Sequence, residues 1–270
     1  MPANGVSDLF LNYLCGMELN YKEFGQGPPL IILHGLFGTL DNWQTIGKKL
    51  AEHYTVYLID QRNHGRSPHA EPFDYPTLAA DLHDFMESNW LFKAHLLGHS
   101  MGGKTAMQFA LEYPDMVDKL IVVDIAPVKY PPRHQAIFEA LFSLDLDALK
   151  DRQEADAALK VRIPEQSVRQ FLLKNLMRKK EGGYRFKMNL PVIYKNYAHI
   201  LDEIRAEAPF EGDTLFIKGG KSEHILPEHE PKIKALFPRY TLKTVENAGH
   251  WVHADAPETL LTLVSDFLKT

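Results

Sequence analysis

The chain is 270 residues long, 45% hydrophobic and 24% charged, a size and balance that suit one large soluble α/β domain or two small ones. A formal net charge of -5 with no sustained basic tract excludes a general polyanion binder, so no nucleic-acid partner is expected. The single cysteine, Cys15, excludes an intramolecular disulfide, and no Cys/His cluster has zinc spacing, which fits a reducing compartment without a bound metal.

Met1 to Asn12 lacks the charged start and long apolar core of a signal peptide, and no run of about 18 apolar residues occurs, so a cytoplasmic protein with no membrane span is expected. Tyr13 to Phe24 predicts one or two edge strands, and Leu30-Ile31-Ile32-Leu33 a buried strand ending at His34-Gly35. Asp41 to Glu52 predicts a helix with Asp41 as its N-cap. Thr55 to Ile59 is the next strand, closed by Asp60. Thr77 to Asn89 is a helix with Leu78, Leu82, Phe85 and Met86 on one face. Ala94-His95-Leu96-Leu97 predicts a strand, Gly103 to Glu112 a helix with Ala106, Phe109 and Ala110 at helical spacing, and Leu120 to Val123 a further strand. Strands alternating with helices predict a mostly parallel sheet covered on both faces.

After Pro127 the alternation stops. From Tyr130 to about Phe210 no comparable buried strand is visible. Ala136 to Phe142, Asp145 to Arg152, Glu154 to Val161 and Gln166 to Arg178 read as helices, and Gly182-Gly183 as a turn. Alternation resumes with a strand at Thr214 to Ile217, a helix at Glu228 to Leu236, a strand at Tyr240 to Val245 and a last helix at Pro257 to Leu268. The expected division is a core of residues 1–128 and 211–270 with a helical cap of residues 129–210 over the strand ends, where it would shape a pocket.

Gly98-His99-Ser100-Met101-Gly102 joins a predicted strand to a predicted helix through a sharp turn. A G-x-S-x-G sequence in that context lifts a strained serine hydroxyl to the carboxyl edge of a sheet, with small flanking residues preventing a clash. Four other segments stand out with it: His34-Gly35-Leu36-Phe37-Gly38, Asp60 to Ser67, Val123-Asp124-Ile125-Ala126-Pro127 and Ala248-Gly249-His250-Trp251. In this order, across nearly the whole chain, they resemble the α/β-hydrolase family. The Arg-Asn-His-Gly and Val-Asp-Ile-Ala-Pro segments are most similar to its small bacterial esterases of the YbfF type. The resemblance implies an α/β-hydrolase fold of about eight mostly parallel strands, with a helical cap after the family's sixth strand.

A serine hydroxyl needs a base, and the family order is serine, acid, histidine. His250, on the loop after the strand Tyr240 to Val245, is preferred as base over His253, which reads as a surface or supporting residue; His99 reads as packing. The usual place for the acid, after Ile217-Lys218-Gly219-Gly220, holds Lys221-Ser222-Glu223. Asp124 is therefore the expected acid, at the end of the strand beside the nucleophile strand, with Glu223 the alternative. The YbfF-type resemblance suggests that Ser222 adds a hydrogen bond there. The expected oxyanion donors are the backbone N–H groups of Leu36 and Met101, with Phe37 next in line. Phe37 and Trp251 are expected to touch substrate.

Asp60 to Ser67 reads as a supporting loop in which Asp60 and Arg62 could pair. Lys174, Arg178, Lys179 and Lys180 read as a solvated face or a site for an anionic carrier, and Phe171, Tyr194 and Tyr197 as cap packing or an acyl pocket. The expected activity is hydrolysis of short acyl esters as small-molecule substrates, with no cofactor. A CoA thioesterase, a carbon–carbon bond hydrolase or a receptor with vestigial hydrolysis are the alternatives, and the oligomeric state is left open.

Overall fold

The computed structural model describes residues 17–269. Seven strands form one sheet: β1 (Tyr21–Phe24), β2 (Pro29–Leu33), β3 (Thr55–Ile59), β4 (Ala94–His99), β5 (Val117–Val123) and, after the segment treated below, β8 (Thr214–Gly219) and β9 (Tyr240–Val245). Their order is β1-β3-β2-β4-β5-β8-β9. Every neighbouring pair is parallel except β1 with β3. The described residues thus supply seven strands of the expected, mostly parallel sheet of about eight. Tyr21–Phe24 is the edge strand, residues 17–20 are not strand, and residues 13–16 lie outside the described part, as do Cys15 and Met1 to Asn12.

Strand residues alternate between two apolar layers. Ile31, Leu33, Leu96, Leu120 and Val122 face the helices Tyr75–Ser88 and Met101–Glu112. Leu30, Ile32, Leu97, Ile121 and Val123 face the helices Gln44–Leu50 and Pro257–Lys269. Both faces are therefore dry, which is why the central strands read as continuous apolar runs. The predicted helix at Asp41 to Glu52 is a 3-10 turn, Leu40–Trp43, followed by Gln44–Leu50. Thr39, in extended backbone, precedes it, so Asp41 is not the cap; its carboxylate accepts from Lys22 at 2.8 Å.

Between β5 and β8 the chain leaves the sheet. Helices Gln135–Phe142, Arg152–Lys160, Gln166–Leu173, Leu190–Lys195 and Tyr197–Leu201 accompany a short antiparallel hairpin of β6 (Leu176–Arg178) and β7 (Tyr184–Phe186). The expected helix to Arg178 therefore stops at Leu173, and Asp145 to Arg152 is not helical apart from its last residue. Phe138, Leu159, Leu172, Ile193 and Ile200 of this segment are buried in the same apolar cluster as the inner residues of one sheet face. Among the described residues no helix is long and apolar enough to cross a membrane.

Candidate active site

Ser100 sits between β4 and the helix Met101–Glu112 with φ 53° and ψ -119°. The turn leaves no space for side chains on its flanks: a Cβ on Gly98 would stand 2.2 Å from the Gly102 carbonyl oxygen, and one on Gly102 would stand 2.4 Å from that of Leu33. The Ser100 N–H donates to the Val123 carbonyl at 3.0 Å, tying the elbow to the end of β5. The next residue there, Asp124, also has a positive φ, 52°, and its N–H donates to Ile217 at 2.8 Å. Both side chains are therefore turned out of adjacent strand ends in fixed register.

His250 joins them. Its Nδ1 is 2.8 Å from Asp124 Oδ2 and its Nε2 is 3.0 Å from Ser100 Oγ. A carboxylate only accepts, so the ring proton sits on Nδ1 and the Nε2 lone pair accepts from the serine hydroxyl. Asp124 is fully buried. Desolvation raises its pKa, opposed by hydrogen bonds from the Ser222 hydroxyl and the Gly219 N–H, the latter at 2.8 Å. Burial, with His134 and His253 nearby, lowers the His250 pKa to about 3, so the imidazole is neutral and able to take a proton.

The neighbours of His250 include residues that the sequence pattern does not single out. His224 stacks flat on it, and its Nδ1 lies 3.1 Å from Ser222 Oγ. The one Ser222 hydroxyl proton goes to Asp124, so His224 Nδ1 is the donor in that bond. The only cue in the chain is its place two residues after Ser222. His99, read as packing, does more: its Nε2 donates to the His250 carbonyl at 2.8 Å. His253 is half-buried. It stacks on Trp43 with ring centroids 4.6 Å apart. Glu223 extends to Arg133, 3.4 Å away, and is mostly exposed.

The loop after β2 completes the site. A Cβ on Gly35 would stand 3.1 Å from that of Ser100, so the backbone passes close over Ser100. Met101 opens its helix, where the N–H has no intrahelical acceptor. The Phe37 N–H is engaged by His64 Nε2 at 3.3 Å and so is not free to serve as the further donor expected of it. Two cavities meet at Leu36, Ser100 and His134. One, about 450 Å³, is walled by Tyr75, Ile125, Tyr130 and Tyr197. The other, about 520 Å³, is walled by Phe37, Phe171 and Trp251. Tyr194 is not on either wall; it packs against Phe138 and Phe142 and is half exposed.

Asp60 and Arg62 do not pair. Asp60 accepts from the N–H groups of Leu40 and Arg66 at 2.8 and 3.0 Å, while the Arg62 guanidinium grips Asp81 and the Pro72 carbonyl. Lys179 pairs with Asp147. Lys104, four residues after Ser100, is 1% exposed. Its ammonium donates to the carbonyls of Val128, Leu201 and Asp202, and burial lowers its pKa to about 7. Donor atoms of Asp124, His224 and His250 lie within 4.8 Å of one another, as a metal ion would require, but hydrogen bonds already join them through Asp124 and Ser222.

Residues 28–257 match the family described as the alpha/beta hydrolase fold. Esterase YbfF of Escherichia coli is 36% identical over 242 residues, covering 89% of this chain and 93% of the relative. An sn-1-specific diacylglycerol lipase of Xenopus laevis is 37% identical over 252 residues, covering 90% of this chain and 80% of the relative. A solved structure described as a marine microorganism esterase superposes with a TM-score of 0.92 at 45% identity, covering 93% of this chain and all of that one.

Proposed function

The chain belongs to the α/β-hydrolase family, and on that premise we propose that it is a serine carboxylesterase acting through an acyl-enzyme. The observation that carries this reading is the unbroken line of hydrogen bonds from Ser100 through His250 to Asp124. Ser100 Oγ attacks the ester carbonyl while its proton passes to His250 Nε2. The imidazolium is held by the Asp124 carboxylate through Nδ1–H. The carbonyl oxygen becomes an oxyanion and takes hydrogen bonds from the Leu36 and Met101 N–H groups, each worth roughly 3 kcal/mol of barrier. As the tetrahedral centre collapses, His250 returns the proton to the departing alcohol. A water then loses a proton to the same Nε2 and attacks the acyl-enzyme. Ser100 leaves and recovers that proton, and the acid is released.

The substrate class is a small-molecule ester with a short acyl group. Support for the ester comes from the esterase and lipase names of the relatives, and the two cavities that meet at Ser100 give room for its acyl and alcohol parts. On this reading residues 129–210 are a cap that forms part of both cavity walls, over a core that takes in the described residues 17–128 and 211–269. The test is a hydrolysis series across acyl lengths, run on p-nitrophenyl esters and CoA thioesters side by side. Short oxygen esters should turn over fastest, and Ser100→Ala should lose on the order of a million-fold in kcat. Turnover that survives Ser100→Ala would overturn the assignment.

A further inference from the structure

Phe37 has φ 60°, a left-handed conformation that a bulky side chain holds only where its surroundings enforce it. Here the residue is gripped at both ends. Its N–H donates to His64 Nε2 at 3.3 Å, and its carbonyl accepts from Asn175 Nδ2 at 2.6 Å. Phe37, His64 and Asn175 are all buried. The two partners come from opposite sides of the site: His64 from the loop after β3, Asn175 from the segment between β5 and β8, just before β6.

Each partner is itself held for this task. His64 Nδ1 lies 3.0 Å from the Arg62 carbonyl and must donate to it, so the proton is on Nδ1 and Nε2 keeps its lone pair. Burial lowers the His64 pKa to about 3, which keeps the ring an acceptor through the neutral range. Asn175 is fixed by its own backbone, whose N–H donates to Leu172 at 3.0 Å and whose carbonyl accepts from Lys187 at 2.8 Å. Its Oδ1 has no hydrogen-bond partner among the described residues, so the side chain's polar work is the bond to Phe37.

Phe37 lies within a tight turn closed by the Gly38 N–H on the Gly35 carbonyl at 2.9 Å. Four residues share that turn, so rotating the Phe37 backbone must also swing the Leu36 N–H. We propose that Asn175 and His64 are positioning residues that aim the Leu36 N–H at the oxyanion, and that Asn175 makes this aim depend on docking of the segment between β5 and β8. The proposal rests on the esterase reading above and deepens it: closure of the substrate pocket and readiness of the oxyanion hole become one event.

The test compares Asn175→Asp, which keeps the size and removes the donor, with Asn175→Leu, which keeps the volume and removes polarity. Steady-state hydrolysis of p-nitrophenyl butyrate gives kcat and KM, and calorimetry gives affinity for an alkyl boronic acid, whose tetrahedral adduct on Ser100 places an oxygen in the oxyanion hole. Both variants should lose about tenfold in kcat with KM within about twofold, and boronate affinity should fall by the same factor. If one variant fails to fold, the other carries the comparison. A rise in KM with kcat and boronate affinity intact would reduce Asn175 to a pocket wall and overturn the proposal, as would unchanged kinetics. Wild-type protein that neither hydrolyses the ester nor reacts with a phosphonate at Ser100 would instead sink the esterase reading, and the proposal with it.

Discussion

The imidazole of His224 lies face to face on that of His250, with ring centroids 3.8 Å apart and planes within 19°. This contact limits the rotation of the His250 ring, since any swing toward His224 is blocked. A buried ring contact of this kind is worth about 1 kcal/mol. His224→Ala should therefore lower kcat by roughly five- to tenfold. His224→Phe, which keeps a flat face, should stay within about threefold of wild type. Steady-state kinetics with matched far-UV spectra would separate the two outcomes.

Ser222 and Asp124 should differ sharply in what they contribute. Asp124→Asn removes the charge opposite the imidazolium and should cost on the order of ten-thousandfold in kcat. Ser222→Ala removes one of three donors to that carboxylate. A hydrogen bond to a charged acceptor is worth about 1.5–3 kcal/mol, so a loss of roughly ten- to a hundredfold is expected, with little change in KM. Kinetics on both single variants measure the contrast directly.

The acid limb of the pH profile should lie low. His250 acts as a base only when neutral, so activity is present above its pKa and lost as pH falls through it. Burial holds that pKa below its ordinary value of 6.5. The midpoint of log kcat/KM against pH should accordingly fall below 6.5. A midpoint above 7 would mean that the Asp124 carboxylate outweighs the desolvation.

Gly102→Ala should unfold the elbow before it alters the chemistry. The added methyl would meet the carbonyl oxygens of both Leu33 and His34, at 2.4 and 2.5 Å. Neither belongs to a flexible side chain, so relief requires moving β2 or the helix. A destabilisation of about 3 kcal/mol is expected, read as a lower urea midpoint with an unchanged slope.

Lys104 binds carbonyls on both sides of the segment between β5 and β8: Val128 at its start, Leu201 and Asp202 at its end. Lys104→Met would strand these acceptors. A loss of about 2 kcal/mol is expected, with faster hydrogen exchange confined to the residues flanking 128 and 202. Uniform exchange across the sheet would show that Lys104 does not act on the two ends of this segment alone.

What the sequence disclosed and what it withheld follow from the range of the interactions. The Ser100 elbow is legible because its demands are local: glycines at 98 and 102 answer clashes within a few residues or with one neighbouring strand. The central strands are legible because burial on both faces leaves only apolar side chains. Leu176–Arg178 was not, since Leu, Met, Arg and Lys favour helix and only the glycine pair at 182–183 marks the hairpin. Asn175 carries no local pattern, and His224 none beyond its place two residues after Ser222. Their meaning lies in contacts to Asp124, His250 and Phe37, roughly a hundred positions or more away for Asp124 and Phe37. The partner of Arg62 is hidden for the same reason: Asp60 is near in sequence, whereas Asp81 is near in space.

Because Ser100 N–H bonds Val123 O, the Ser100 hydroxyl and the Asp124 carboxylate ride on adjoining rungs of a single ladder. Their separation cannot change unless the centre of the sheet comes apart. The imidazole alone sits on a connection outside the sheet, between Val245 and Val252. Heat or denaturant should therefore silence the enzyme by detaching that one connection first, well before the scaffold melts, and cooling should restore it without refolding.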